Sequence, residues 1–197
     1  MAELKQIRTE RKTGNEPFLG MEKTLLDFWA WAHSDIAGNA ERGKIAEYIV
    51  SCALGSNAEH RVEWDAVDIT TPEGIKVEVK SSAYLQTWHQ DRFSSIQFGI
   101  APKRAWDSQT NLYSDTAVRS ADVYVFCLFA CKDANAANPL DLNQWEFYVV
   151  PTQILNDKLP NQKTIGLKAV SQLADGCTSY SDLQNKVQHL YRNHKQA

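Results

Sequence analysis

Three charged residues of the kinds that bind metal ions and phosphate lie close together in the stretch WDAVDITTPEGIKVEVKSS, residues 64–82. They are Asp68, Glu78 and Lys80. Carboxylate oxygens suit Mg²⁺, which typically binds one or two carboxylates together with waters and phosphate oxygens. A lysine on the same face can hold a phosphate oxygen or an attacking water. These residue types would therefore support metal-assisted hydrolysis of a phosphodiester.

The turn between the two carboxylates predicts how they are placed. In Thr71-Pro72-Glu73-Gly74-Ile75, proline stands where a type I turn favours it and glycine where the chain needs a positive φ. This is the pattern of a three-residue hairpin loop closed by a bulge. If Thr71 pairs with Ile75, Asp68 lies directly opposite Glu78. Opposed Cβ atoms are ~5 Å apart, so the two carboxylates repel each other unless a cation or a proton lies between them.

The apolar residues of the hairpin support the same register, because side chains alternate between the two faces of a strand. The polar face carries Asp68, Glu78 and Lys80. The reverse face is predicted to carry the apolar residues Val67, Ile69, Ile75, Val77 and Val79.

Asp68, followed by Glu78-Val79-Lys80-Ser81, resembles the core motif of the PD-(D/E)xK nuclease superfamily, which includes restriction endonucleases, Holliday-junction resolvases and repair nucleases. Its members place an Asp on one strand and (E/D)-x-K on the next, beside a helix that often supplies a Glu. The helix GKIAEYIV, residues 43–50, precedes the hairpin in that order. The similarity covers residues 43–82. The proline of the motif's name is absent, because Val67 precedes Asp68.

Carried over residue by residue, the resemblance implies that Asp68 and Glu78 are metal ligands and that Lys80 positions water or phosphate. Glu47 would be an accessory ligand, and Val79 a further metal ligand. The implied cofactor is Mg²⁺ or Mn²⁺, and the implied substrate is nucleic acid, in the first place DNA. The implied fold is an α/β, restriction endonuclease-like core with a mixed central sheet flanked by helices. The alternative is a catalytically inactive member of this fold that serves as a nucleic-acid or protein binding module.

Two choices within the motif stay open. Asp65 is a rival for the aspartate, since its separation from Glu78 is more typical of the superfamily, although the predicted register points it to the apolar face. Glu41 competes with Glu47 but lies near a helix start, where the dipole alone favours a carboxylate. Possible substrate contacts lie further along the chain: Ser81, Gln86, Trp88, Lys103 and Arg104.

Hydrophobic periodicity predicts the elements around the hairpin. Helices are predicted over Met21–His33, Ala40–Leu54 and Ser181–His194. A helix or irregular stretch is predicted over Ala83–Asp91. Strands are predicted over Val62–Ile69, Ile75–Lys80, Ser95–Ile100, Asp122–Ala130 and Trp145–Val150. No repeat or linker divides the chain, so we expect one domain over residues 1–197, with a loosely ordered segment at residues 1–18.

Composition narrows the functional classes only slightly. The net charge of −3 neither favours nor excludes a nucleic-acid enzyme, because acidic metal ligands offset a local basic patch. No apolar run is long enough for a membrane span, and no secretory signal is visible, so a cytoplasmic protein is expected. The four cysteines are predicted to be reduced thiols. Cutting both strands of a duplex would suggest a homodimer.

Overall fold

A computed structural model describes residues 10–61, 66–104, 106–107 and 112–195. Within them lie five α-helices: α1 Leu25–Ala32, α2 Asn39–Ala53, α3 Thr152–Lys158, α4 Leu167–Ala174 and α5 Leu183–Lys195. The strands are β1 Ile69–Thr70, β2 Lys76–Ala83, β3 Gln97–Gly99, β4 Trp106–Asp107, β5 Leu112–Tyr113, β6 Val123–Phe129, β7 Trp145–Pro151 and β8 Thr164–Gly166.

Four strands form one mixed sheet in the order β1-β2-β6-β7. Strand β2 runs parallel to β6, whereas β1 and β7 are antiparallel to their neighbours. All seven residues of β6 are buried, because a central strand covered on both faces has no polar side. The predicted α/β class with a mixed central sheet flanked by helices is confirmed.

Helices cover both faces of this sheet and divide the interior into two cores. The first core contains residues of α2 and α5 with one face of β2, including Val50, Val77 and Val187. The second contains residues of α3, α4 and the β3–β8 pair, including Phe98 and Leu155. Because side chains alternate along a strand, β2 gives Val77 to the first core and turns Glu78 and Lys80 to the opposite face.

The hairpin has the predicted register. Ile69 pairs with Val77 and Thr70 with Lys76, and the Thr71 N–H donates to the Ile75 carbonyl at 3.0 Å. Gly74 adopts the positive φ of 81° that the loop requires. Continued by one residue, this register places Asp68 opposite Glu78.

The first strand of the hairpin is shorter than the predicted Val62–Ile69. It begins at Ile69, the preceding residues 66–68 form a bend, and residues 62–65 lie outside the described part of the chain. Because the bend breaks the alternation, Val67 packs against the second core while Ile69 belongs to the first. The prediction that both share one face was therefore wrong.

Helix α1 also departs from its prediction over Met21–His33. It begins at Leu25, because Thr24 and Asp27 form a capping box at its N-terminus. None of its residues is buried, so its apolar face does not join either core. Ahead of it, the Glu16 and Gly14 carbonyls accept from the first helical N–H groups, which ties part of the segment 1–18 to α1.

The other predicted elements differ less. Helices α2 and α5 and strands β6 and β7 lie within two residues of their predicted ends, whereas the stretch Ala83–Asp91 is irregular after β2 ends. Cys52, on α2, is exposed. Sequence reasoning did not find β4, β5, β8, α3 or α4. No helix among the described residues is long and apolar enough to cross a membrane.

Candidate active site

Glu78 is a buried acid in the middle of β2, with 8% of its surface exposed. Its Oε1 atom accepts from Lys80 Nζ at 2.5 Å and from Lys103 Nζ at 3.2 Å. Lys80 lies two residues further along the same strand and so on the same face. Lys103 follows β3, and its backbone pairs with Val118 through hydrogen bonds of 3.0 and 2.9 Å. Two ammonium groups thus converge on one carboxylate oxygen.

Asp68 lies in the bend just before β1, at the edge of the sheet. Its Oδ2 accepts from the Val79 N–H at 2.7 Å, so the side chain acts as a partner for β2 beyond the end of β1. Burial, and then the negative charge of Glu78, raise the pKa of Asp68 to about 6. Lys80 and the hydrogen bond from the Val79 N–H lower the pKa of Asp68, whereas the negative charge of Glu47 raises it further.

Glu47 lies on α2 and is drawn inward, with 18% of its side chain exposed. Both of its oxygens accept from Arg61, at 2.5 and 3.3 Å. Glu47 and Asp68 line one cleft of about 780 Å³ between α2 and the residues 55–61 and 66–70. Glu78 is not among the residues that line this cleft. The structure therefore places Glu47 beside Asp68 and does not bring it to Glu78.

The side chains that could bind a metal ion at this site are carboxylates, and they limit which metal would fit. Within residues 10–61, 66–104, 106–107 and 112–195, no three His, Cys, Asp or Glu side chains form a group that could hold a metal ion. The pair Asp68 and Glu78 nevertheless fits an oxygen-preferring ion such as Mg²⁺, which needs only one or two protein carboxylates. Burial, and then the charge of Glu78, raises the pKa of Asp68, and a divalent cation would stabilise both carboxylates in their ionised form. Val79 points its side chain into the first core, so only its backbone faces the site.

Of the five predicted substrate contacts, Lys103 alone reaches Glu78. Ser81 pairs with Cys127 on the first-core side of the sheet, and its Oγ has no hydrogen-bond partner among the described residues. The Gln86 amide donates within its own loop, to the Ala83 carbonyl and to Ser94.

The other two predicted contacts are Trp88 and Arg104, and the rival aspartate is Asp65. Trp88 is 58% exposed and so belongs to neither core. Arg104 donates to the Ser114 carbonyl at 2.6 Å. Asp65, the rival aspartate, lies outside the described residues.

Sequence reasoning missed two neighbours of the site. Arg61 pairs with Glu47, and nothing in the spacing of these residues indicated it. Tyr124 lies beside Glu78 in the β2–β6 register, and burial followed by the charge of Glu78 raises the pKa of Tyr124 to about 12. A signal for Tyr124 existed, because a hydroxyl in the otherwise apolar run of β6 needs a reason to be buried.

A family model matches residues 23–169, more than half of the chain, and its description is that of an endonuclease, which makes this protein a nuclease by class. The model is that of bacteriophage T4 endonuclease IV, and the chain belongs to this family. The matched range contains the whole hairpin, Glu47 and Lys103. A search of curated proteins gave no match.

Proposed function

We propose that the protein is an endonuclease that hydrolyses phosphodiester bonds in DNA and uses a divalent cation, Mg²⁺ or Mn²⁺, held by Asp68 and Glu78. Membership of an endonuclease family supports the reaction. The observation that carries the choice of site is the hairpin register, which sets Asp68 opposite Glu78 with Lys80 bonded to Glu78. We also propose membership of the PD-(D/E)xK superfamily, supported by the order of helix, Asp-bearing segment and E-V-K strand.

The chemistry assigned to each residue follows from its position. A bound divalent cation would supply positive charge at the phosphate and make a bound water more acidic. Asp68 and Glu78 would hold it, and Lys80 would position the attacking water or a phosphate oxygen. The water oxygen bonds to phosphorus and a phosphorus–oxygen ester bond breaks. The water loses one proton and the departing oxygen gains one, so a phosphate monoester and a free hydroxyl result.

One observation favours a second candidate, an inactive fold that only binds nucleic acid or protein. The acids Glu47 and Glu78 are already neutralised without a cation, Glu47 by Arg61 and Glu78 by Lys80 and Lys103. A binding module would keep these ion pairs and would need no metal. The two candidates therefore differ in whether a cation changes the protein's behaviour.

The test is cleavage of plasmid, single-stranded DNA and structured RNA with Mg²⁺, with Mn²⁺ and with EDTA. We expect metal-dependent cutting of DNA, and a loss of about 10²- to 10⁴-fold in the rate for Lys80→Ala. Lys168→Ala, which removes an exposed lysine on α4, serves as the matched control and should cut like the wild type. If no substrate is cut and calorimetry detects no Mg²⁺ or Mn²⁺ binding, the enzyme proposal is wrong.

A comparison of two variants tests which aspartate binds the metal ion. Asp68→Asn is expected to abolish metal-dependent cutting, whereas Asp65→Asn should leave most of it. Loss of cutting in Asp65→Asn alone would transfer the ligand role to Asp65. Glu47→Gln separates an accessory ligand from a structural partner of Arg61, since only a ligand would change the metal concentration at half-maximal rate.

A further inference from the structure

We propose that Lys103 is a second active-site lysine, which binds the phosphate being cut together with Lys80. The inference rests on the proposed endonuclease function and deepens it, because it names a residue that contacts the substrate's reacting group. Lys103 is one of the predicted substrate contacts, but the sequence does not show that it contacts Glu78. This contact comes from the way the segment after β3 returns to β2.

The first support is the convergence of charge. Lys80 Nζ and Lys103 Nζ both lie within 3.2 Å of one oxygen atom, Glu78 Oε1. One lysine is enough to neutralise this carboxylate. The second gives these three side chains a net charge of +1, which also offsets the charge of Asp68 when that residue is ionised, so the site does not repel an anion. A phosphodiester carries one negative charge, and the attack of water adds another on the phosphorus oxygens, so a second ammonium gains strength in the transition state.

The second support is the order of these groups from inside to outside. The exposed fraction of the side chain is 10% for Glu78, 23% for Lys80 and 72% for Lys103. Lys103 thus stands on the solvent side of the buried pair. A phosphate that approaches Glu78 and Lys80 from solvent meets the Lys103 ammonium first.

The third support is that Lys103 has a fixed backbone and a movable charge. Its N–H and carbonyl both pair with Val118, and the next residue, Arg104, is held through the Ser114 carbonyl. The four-carbon stem still lets the ammonium swing away from Glu78. Its ammonium has three donors, so Lys103 can bind a phosphate oxygen whether or not one donor stays on Glu78.

The experiment compares the wild type with Lys103→Gln, Lys103→Arg and the control Lys168→Gln. The first readout is the affinity for labelled single-stranded and duplex oligonucleotides in EDTA at several NaCl concentrations, measured by fluorescence anisotropy. Each phosphate contact contributes about 0.7 to 0.9 to the slope of log K against log salt. We expect Lys103→Gln to lower that slope by about one contact, and Lys103→Arg and Lys168→Gln to keep it.

The second readout is steady-state cleavage with Mg²⁺. We expect Lys103→Gln to lower kcat/KM by about 10- to 100-fold, the range for one charge-assisted hydrogen bond, with most of the loss in kcat. Lys103→Arg should recover most of it. A purely structural role predicts a lower unfolding midpoint, an unchanged salt slope and no rescue by arginine.

The proposal is overturned if Lys103→Gln keeps the wild-type salt slope and a kcat/KM within twofold of wild type, or if only its unfolding midpoint changes. Its failure can be told apart from failure of the proposed function. If the wild type cuts no DNA, the endonuclease proposal fails, and the salt slope still decides whether Lys103 contacts phosphate. If the wild type neither cuts nor binds DNA, both are wrong.

Discussion

Replacing Asp68 by asparagine should make the protein more stable at neutral pH, although it removes the proposed metal ligand. Burial and the charge of Glu78 raise the pKa of Asp68 to about 6, from the ordinary aspartate value near 4. The folded protein therefore holds the proton more tightly than the unfolded chain does. Ionising Asp68 costs the fold stability, and this cost grows as the pH rises from about 4 to about 6.

The size of the effect follows from the pKa of Asp68, which is about two higher in the folded protein than in the unfolded chain. This difference corresponds to about 2.7 kcal/mol of unfolding free energy when Asp68 is fully ionised. Below about pH 4 the aspartic acid is neutral in both states, so Asp68→Asn and wild type should then have similar free energies of unfolding. Above about pH 7 the variant should be more stable by roughly 2 to 3 kcal/mol. Asparagine can still accept the Val79 N–H, so this hydrogen bond need not be lost.

The assay is urea denaturation followed by circular dichroism between pH 4 and 7.5, in EDTA, with the difference between wild type and variant plotted against pH. Asp91→Asn is the control for the substitution itself, because the Asp91 side chain is 98% exposed. If the difference for Asp68→Asn does not change with pH, or if the wild type gains stability relative to the variant as pH rises, the pKa of Asp68 is not raised in the folded protein. Adding Mg²⁺ at pH 7 should stabilise the wild type and leave Asp68→Asn unchanged.

Three other outcomes test the fold. Arg119→Ala should cost about 3 kcal/mol in urea denaturation, because the buried guanidinium donates to three backbone carbonyls and to Asn156, all of which would lose a partner. The exposed thiols of Cys52 and Cys177 should react quickly with a thiol reagent. Cys127 should stay unreactive until the protein unfolds, because it is buried and burial raises the pKa of its thiol. Rapid labelling of Cys127 in the folded protein would contradict its buried position. Thr24→Ala should destabilise α1 by about 1 kcal/mol through loss of its cap, seen as faster amide exchange in α1 with the global unfolding free energy unchanged.

The hairpin could be predicted because the residues that determine its loop are adjacent in the sequence. Pro72 and Gly74 define the loop, and the loop sets the register that brings Asp68 opposite Glu78. The predicted first strand was too long, because alternation in the sequence does not show where a strand stops pairing with its neighbour. A bend at residues 66–68 ends it, and Val67 consequently packs on the other side of the sheet from Ile69.

The remainder of the site depends on contacts between distant parts of the chain, which periodicity does not report. Lys103 reaches Glu78 because β2 and β6 are parallel and the segment between them folds back over the second face of the sheet. Glu47 was predicted from its place on the helix before the hairpin, but its partner Arg61 could not be predicted from the sequence. The apolar residues of α1 predicted a helix but not its burial, since a hydrophobic face says nothing about whether another surface covers it.

The shortness of β1 has a consequence for how the protein would lose activity on heating. Asp68 is attached to the domain through a two-residue edge strand, whereas Glu78 belongs to a strand hydrogen-bonded along seven residues of β6. Edge segments with few ladder bonds open at a lower free-energy cost than central strands. The two carboxylates therefore belong to regions of unequal local stability, and fraying of β1 would separate them while β2, β6 and β7 stay paired. We expect thermal inactivation to precede the cooperative melting of the sheet, and to be reversible as long as that sheet persists.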